Sequence, residues 1–208
     1  MTVIETPRLL LRELTDADHE ALFQMYQDPR MNRFIGGPPP PRKEYWEKVR
    51  ETWPAYYARH GFGLWATVRR EDGRLLGRCG LLSQEVDGER HVEVGYALAP
   101  EFWGRGYATE AARASRDHAF RTLDVSYVIS VILPDNAGSI RVAEKNGMTF
   151  WKMAEFRGYL PRVYRITRTE WEKAVEGDGK WGMQISRILA DSRGTVEQRI
   201  STSAYGVR

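Results

Sequence analysis

Two short stretches of this chain carry residue types at spacings suited to chemistry. The first is Phe102-Trp103-Gly104-Arg105-Gly106-Tyr107-Ala108-Thr109. It leaves an alternating segment and opens a helical one. Two glycines and a small residue let the backbone turn tightly, so several N–H groups converge on one point. The positive end of the following helix and the Arg105 side chain strengthen that point, and together they suit a phosphate. The spacing is not the dinucleotide fingerprint, which wants a third glycine where Thr109 stands. The second stretch is Asp135-Asn136-Ala137-Gly138-Ser139, which opens the helix ending at Glu144-Lys145-Asn146-Gly147. Either Asn136 or Ser139 can cap that helix. If the helix begins beside a neighbouring parallel strand, both side chains also face a cleft between strands.

The elements that position these stretches are readable from periodicity. Arg8–Leu14 reads as a short strand. Thr15 caps a helix with Asp16 and Asp18 in its first turn, running to about Gln27. Asp28–Pro41 reads as a loop, and a second helix spans about Arg42 to Arg59. Its stripe is Trp46, Val49 and Trp53, and Pro54 is expected to kink or end its first segment. Phe62, Leu64, Ala66 and Val68 alternate, Glu71–Arg74 turns the chain, and Leu75–Leu82 returns. After Asp87-Gly88, His91–Leu98 alternates strictly: Val92, Val94, Tyr96 and Leu98 fall on one face, His91, Glu93, Gly95 and Ala97 on the other. Ala108–Thr122 is helical, with Arg113, Arg116 and Arg121 as a solvated face, and Val125–Val131 is the next strand. That crossover makes strands 91–98 and 125–131 parallel. Met148–Phe156 and Leu160–Arg168 close as a hairpin, followed by a short helix at Glu170–Val175. The result is a mixed α/β sheet with an antiparallel front half, not a doubly wound dinucleotide fold.

Composition narrows the function classes. With 208 residues and a formal charge of +3, both signs evenly mixed and no Lys/Arg run longer than two, the chain lacks the dense basic stripe of nucleic-acid binders. An anionic small ligand fits this balance. No apolar run approaches a membrane span, and the opening MTVIETPRLLLREL lacks the apolar core of a secretory leader, so a cytoplasmic setting is expected. The single cysteine, Cys79, excludes an internal disulfide framework or a cysteine-based zinc site and reads as a core residue.

Leu98-Ala99-Pro100-Glu101-Phe102-Trp103-Gly104-Arg105-Gly106-Tyr107-Ala108-Thr109-Glu110-Ala111, followed by Asn136-x-x-Ser139 and Glu144-Lys145-Asn146-Gly147, resembles the GNAT acetyltransferases. Within them it looks like the ribosomal-protein N-acetyltransferase (RimJ/RimL-type) branch, whose opening strand Thr6–Arg12 resembles and whose central strand Glu93–Tyr96 resembles. The likeness covers roughly residues 5–170, so 1–176 is expected as the acetyltransferase domain and 177–208 as a C-terminal extension of unknown role. The resemblance implies a mostly antiparallel sheet with one parallel pair splayed around acetyl-CoA, flanked by helices, and no metal. It implies that Trp103, Gly104, Arg105, Gly106, Tyr107, Ala108 and Thr109 hold the pyrophosphate. It further implies that Leu98, Ala99 and Pro100 pair with the pantetheine arm, that Asn136 bonds the pantetheine or its reacting end and that Ser139 lies near the adenine side or the thiol, both as candidate catalytic residues. The tyrosine many members use as acid for the departing thiolate falls at Ala143.

Acetyl transfer to an amine needs a proton acceptor, an oxyanion donor and close positioning. Glu93 is the expected base, on the strand the family uses for that purpose, with His91 on the same face as the alternative. A backbone N–H near Leu98 is the expected oxyanion donor. The expected activity is transfer of an acetyl group from acetyl-CoA to a primary amine, a small molecule or a protein N-terminus, by direct attack in a ternary complex. A non-catalytic acyl-CoA-binding module and a succinyl-CoA-using relative are the alternatives, and a homodimer is compatible with the class.

Overall fold

The computed structural model describes residues 2–35, 37 and 40–177. Eight strands form one sheet in the order β1 (Thr2–Glu5), β2 (Leu9–Arg12), β3 (Leu64–Arg69), β4 (Leu75–Val86), β5 (Glu89–Leu98), β6 (Tyr127–Ile132), β8 (Arg162–Thr167), β7 (Thr149–Met153). Every neighbouring pair is antiparallel except β5 and β6, which run parallel with Glu93 opposite Ile129. The mixed sheet and its single parallel pair therefore match the sequence reading. β1 does not: its four residues are too few to show a period.

The β4–β5 hairpin is longer than the alternation suggests, because Asp87 and Gly88 turn the chain directly with φ of 52° and 79°. Two consecutive residues at positive φ are what a two-residue hairpin turn requires. β3 is buried at five successive positions, so its expected half-exposed alternation gives way to cover on both faces. One face carries α4 (Tyr107–Thr122), whose Ala111, Ala112, Ser115 and Ala119 are buried; the Ser115 hydroxyl lies 3.5 Å from Cys79 Sγ. Cys79 is thus a core residue, its thiol pushed up to about 12 by burial. The other face carries α1 (Asp16–Met25) and α3 (Arg42–His60), packed through Leu22, Phe23, Tyr26, Met31, Tyr45 and Val49.

Asp18 fixes the start of α1 by accepting from the Thr15 amide and hydroxyl, each at 2.8 Å, and from the Arg12 guanidinium. The Asp28–Pro41 loop contains a short helix, α2 (Pro29–Asn32), capped by Asp28, which the proline run had hidden. Pro54 neither ends nor divides α3. Trp53 packs its ring against Tyr56 and Tyr57, and the Tyr57 hydroxyl donates to the Leu64 carbonyl, so tertiary contacts hold the helix through the proline. The expected solvated arginine face of α4 is also revised. Arg116 is buried, paired with Asp117 and donating to the Asn146 carbonyl, and Arg113 donates to the Lys145 carbonyl. These bonds tie α4 to the end of α5 (Ala137–Lys145), where Ala143 is also buried.

A final helix, α6, spans Arg168–Gly177 and covers the expected short helix at Glu170–Val175. The extension 178–208 lies outside the described residues. Among those described, no helix is long and apolar enough to cross a membrane.

Candidate active site

β5 and β6 begin as a ladder and then separate, and the separation has identifiable chemistry. Just past the Glu93–Ile129 pairing, the Ser130 hydroxyl donates to the Val94 carbonyl at 2.8 Å. The Val131 amide donates to Glu93 Oε1 at 3.2 Å instead of to a neighbouring strand. Side chains thus take over the backbone partners, and the strands are free to diverge without leaving those groups unsatisfied. Beyond this point two cavities adjoin the split. One, of about 510 Å³, lies toward Glu93, Trp53, Tyr56, Arg78 and Arg157. The other, of about 430 Å³, lies toward Leu98, Trp103, Gly104, Ala108, Asn136 and Arg141. Phe34, Ile35, Tyr96, Ala97, Asn136 and Ser139 line both.

The glycine loop is shaped as its residue types suggest. Gly104 and Gly106 sit at φ of 74° and 80°, a region that disfavours any side chain, and Gly106 is the N-cap of α4. A β-carbon at Gly104 would meet nothing within 4 Å, so the space over the loop is open to a ligand. Trp103 donates its indole N–H to the Leu98 carbonyl at 2.7 Å, closing the loop back onto the end of β5. The loop is also held from a distance. Arg8 donates to the Arg105 carbonyl at 3.0 Å and pairs with Glu110 in the first turn of α4 at 2.6 Å. The Thr6 hydroxyl donates to the same carboxylate at 2.7 Å. Sequence spacing gives no sign of this clamp, since Arg8 and Glu110 lie about a hundred residues apart.

Of the expected donor-site residues, Leu98, Trp103, Gly104, Ala108, Asn136 and Ser139 line the second cavity. Arg105, Gly106, Tyr107 and Thr109 do not; Tyr107 is buried under Arg8. Ala99 and Pro100 also lie off both cavities. The Ala99 amide donates to the Leu76 carbonyl, and the Ala99 and Pro100 carbonyls accept from Phe102 and Trp103. Asn136 caps α5: its Oδ1 accepts the Ser139 amide at 3.0 Å, which leaves its Nδ2 donors for another partner.

Glu93 is 8% exposed, and burial raises its carboxyl above the ordinary range, opposed by the bonds from Val131 and Gln84 and by the charge of Arg157. Strand alternation places His91 on its side of the sheet. However, His91 is packed against Tyr127 and Trp151, with Nδ1 3.0 Å from the Tyr127 hydroxyl, and lines neither cavity. Sequence reading passed over Tyr96. Its hydroxyl donates to the Ser139 carbonyl at 3.0 Å at the junction of the two cavities, and burial holds its proton tightly. Alternation places Tyr96 only on the face of Val92, Val94 and Leu98, opposite Glu93. Among the described residues no cluster of three His, Cys, Asp or Glu side chains is arranged to hold a metal.

The Acetyltransferase (GNAT) domain family matches residues 8–149. The uncharacterized N-acetyltransferase YoaA of Bacillus subtilis is 31% identical over 76% of this chain and 88% of its own. The acetyltransferase of Agrobacterium tumefaciens is 32% identical, with a TM-score of 0.70 over 81% of this chain and 95% of that one. The RimJ/RimL branch is not set apart from others by these likenesses. The ribosomal L7/L12 acetyltransferase RimL with coenzyme A aligns at a TM-score of 0.64 and 17% identity over 80% and 98% of the two chains. An aminoglycoside acetyltransferase with coenzyme A aligns at 0.66 and 19% over 79% and 98%. Both likenesses show the fold alone. With the family profile, the close relatives and the split sheet in agreement, the chain belongs to the GNAT acetyltransferase family.

Proposed function

We propose that the protein transfers an acetyl group from acetyl-CoA to a primary amine by direct attack in a ternary complex. The observation that carries this reading is the pair of adjoining cavities at the β5–β6 split, one beside the glycine loop and one beside a buried carboxylate. The donor end fits the residues present: an open cradle over Gly104, the N-terminus of α4, and the Asn136 Nδ2 donors. When bound there, acetyl-CoA supplies an activated acyl carbon and a thiolate leaving group. Trp103, Gly104 and the following turn hold its phosphates, and the edge of β5 up to Leu98 receives its extended arm.

Glu93 then acts on the acceptor. An alkyl ammonium has a pKa near ~10 and an α-ammonium near ~8, so it must lose a proton before attack. A carboxylate whose pKa burial raises is a stronger base than an exposed one and takes that proton directly or through one water. The unpaired edge of β5 beyond Val94 offers backbone N–H groups to the carbonyl oxygen as charge builds on it. Tyr96, Asn136 and Ser139 are the polar side chains shared by the two cavities, where the departing thiolate is released. Ala143, at the position of the family's tyrosine, is buried and lines neither cavity.

The test measures acetyl-CoA binding by calorimetry and amine-dependent release of free thiol. Saturable binding with thiol release that requires an amine is the expected outcome. Binding without turnover across α-amines, alkyl amines and peptides would instead favour a non-catalytic acyl-CoA-binding module.

A further inference from the structure

The larger cavity contains an arginine that the acetyl transfer described above does not use. Arg78 lies on β4 directly opposite Ala97 of β5. Its guanidinium carbon sits 5.0 Å from the Tyr26 ring and 5.5 Å from the Trp53 ring, and it lines the cavity that holds Glu93. Its Nε is buried without a hydrogen-bond partner. Among the described residues Arg78 makes no ion pair. Arg12, Arg69, Arg74 and Arg116 each meet a carboxylate, as does Arg33, which shares the cavity and pairs with Asp135. The remaining charged groups of the lining are Glu93 and Arg157. An acceptor carrying only an ammonium would therefore enter a cavity with more positive than negative charge.

We infer that the acceptor is an amine that also carries an anionic group, a carboxylate in the simplest case, which Arg78 binds while Glu93 faces the amine. This inference rests on the acetyltransferase reading and names the substrate class of the same site. Two features of the geometry support it. Arg78 and Glu93 belong to the same face of the β4–β5 pair, since Arg78 is opposite Ala97, and Glu93 is opposite Leu82. Four residues of strand separate the two positions, about 13 Å along the sheet. Both side chains line the one cavity, so an acceptor that spans it meets the carboxylate with its amine and the guanidinium with its anion. Arg78 is half-buried, its Nε is enclosed without a partner, and it is held in place by two aromatic faces rather than by a carboxylate. A bound anion completes its coordination, and its planar fork matches a carboxylate in two-point contact.

The test compares phenylalanine, β-alanine and γ-aminobutyrate as free acids with their amides, and alanyl-aspartate amide with alanyl-asparagine amide, in thiol release and in calorimetric titration. The first set reports free amino acids and the second a peptide with an acidic side chain near its N-terminus. In at least one pair the acid form is expected to exceed the neutral form by tenfold or more in kcat/KM or in affinity. Arg78→Met retains the apolar stem and removes the charge. It should bring that ratio close to one, while acetyl-CoA affinity stays within about twofold. Arg78→Lys, which keeps the charge but not the fork, should restore part of the ratio and serves if the methionine variant fails to fold. Equal use and equal binding of acid and neutral forms by the wild-type protein would overturn the inference. So would an acid preference that survives Arg78→Met. Loss of the acetyltransferase reading is distinguishable: acetyl-CoA would neither bind nor yield thiol with any amine, while the acid-against-neutral titrations would still report on Arg78.

Discussion

At the scale of single residues, the reacting groups are set by burial more than by identity. Glu93 is one of many carboxylates in the chain, yet it alone is enclosed at the split of the sheet, with an amide of β6 and the Gln84 side chain bound to it. Its pKa is raised in the folded state, so the sign of its effect on stability follows. Below the ordinary glutamate value both folded and unfolded chains carry the proton. As pH rises past that value the unfolded chain ionises first, and stability is lost until the native carboxyl ionises as well. Glu93→Gln removes this loss. The variant should match the wild-type thermal midpoint near pH 4 and exceed it at pH 7–8, by roughly 2–4 °C for each kcal/mol relieved in a chain of this size. At the same time kcat should fall about 10²- to 10⁴-fold, and the acidic limb of the pH–rate profile should flatten. Higher stability with unchanged kcat would make Glu93 a buried structural carboxyl and leave the base to solvent.

At the scale of elements, each half of the candidate site is a helix start facing the split, and each start is fixed differently. The start of α4 is fixed from outside, by the Arg8–Glu110 pair and the Arg8 bond to the Arg105 carbonyl. The start of α5 is fixed from within, by Asn136. Asn136 therefore has two separable parts, an acceptor that caps and a donor that is left over. Asn136→Ala removes both and should cost about 1 kcal/mol of stability as well as activity. Asn136→Asp keeps the capping oxygen and loses the Nδ2 donor. It should leave the thermal midpoint near the wild-type value while lowering kcat/KM for acetyl-CoA about tenfold, the loss expected for one hydrogen bond near 1.4 kcal/mol. Wild-type kinetics in the aspartate variant would make Asn136 a cap alone. This division also marks what the sequence made legible. The glycine pair and the Asn136 cap are local patterns that the structure has, whereas the expected strict alternation of β5 gives way at the split, where Glu93 to Ala97 all line the larger cavity. Arg8, Arg78 and Arg116 were not legible in the same way. Each looks like an ordinary surface arginine in its own window, and only contacts made across the fold give it a place. Tyr96 was masked for a related reason: alternation assigns a face, but not whether that face opens onto a cavity.

At the scale of the whole molecule, one topological choice creates the site. Seven strand pairings join the eight strands, and the single parallel one is where the ladder opens. Antiparallel neighbours on both sides, β4 against β5 and β6 against β8, hold the two diverging strands over ten and six paired positions. The split is thus a stable feature of the sheet rather than a frayed edge. Every residue lining the two cavities falls between Met31 and Pro161, and the family match ends at residue 149. A chain ending at Glu176 should therefore keep all the groups assigned here to donor and acceptor. Its acetyl-CoA affinity is expected to stay within about twofold of the full chain. Ligand at 100 times Kd should raise the stability of both forms by about 2.7 kcal/mol. The measurement is a calorimetric titration of the two forms under one buffer, with thermal unfolding run in parallel. A tenfold loss of affinity in the shortened chain, with its unfolding still cooperative, would place part of the donor site in residues 177–208 and move the domain boundary beyond them.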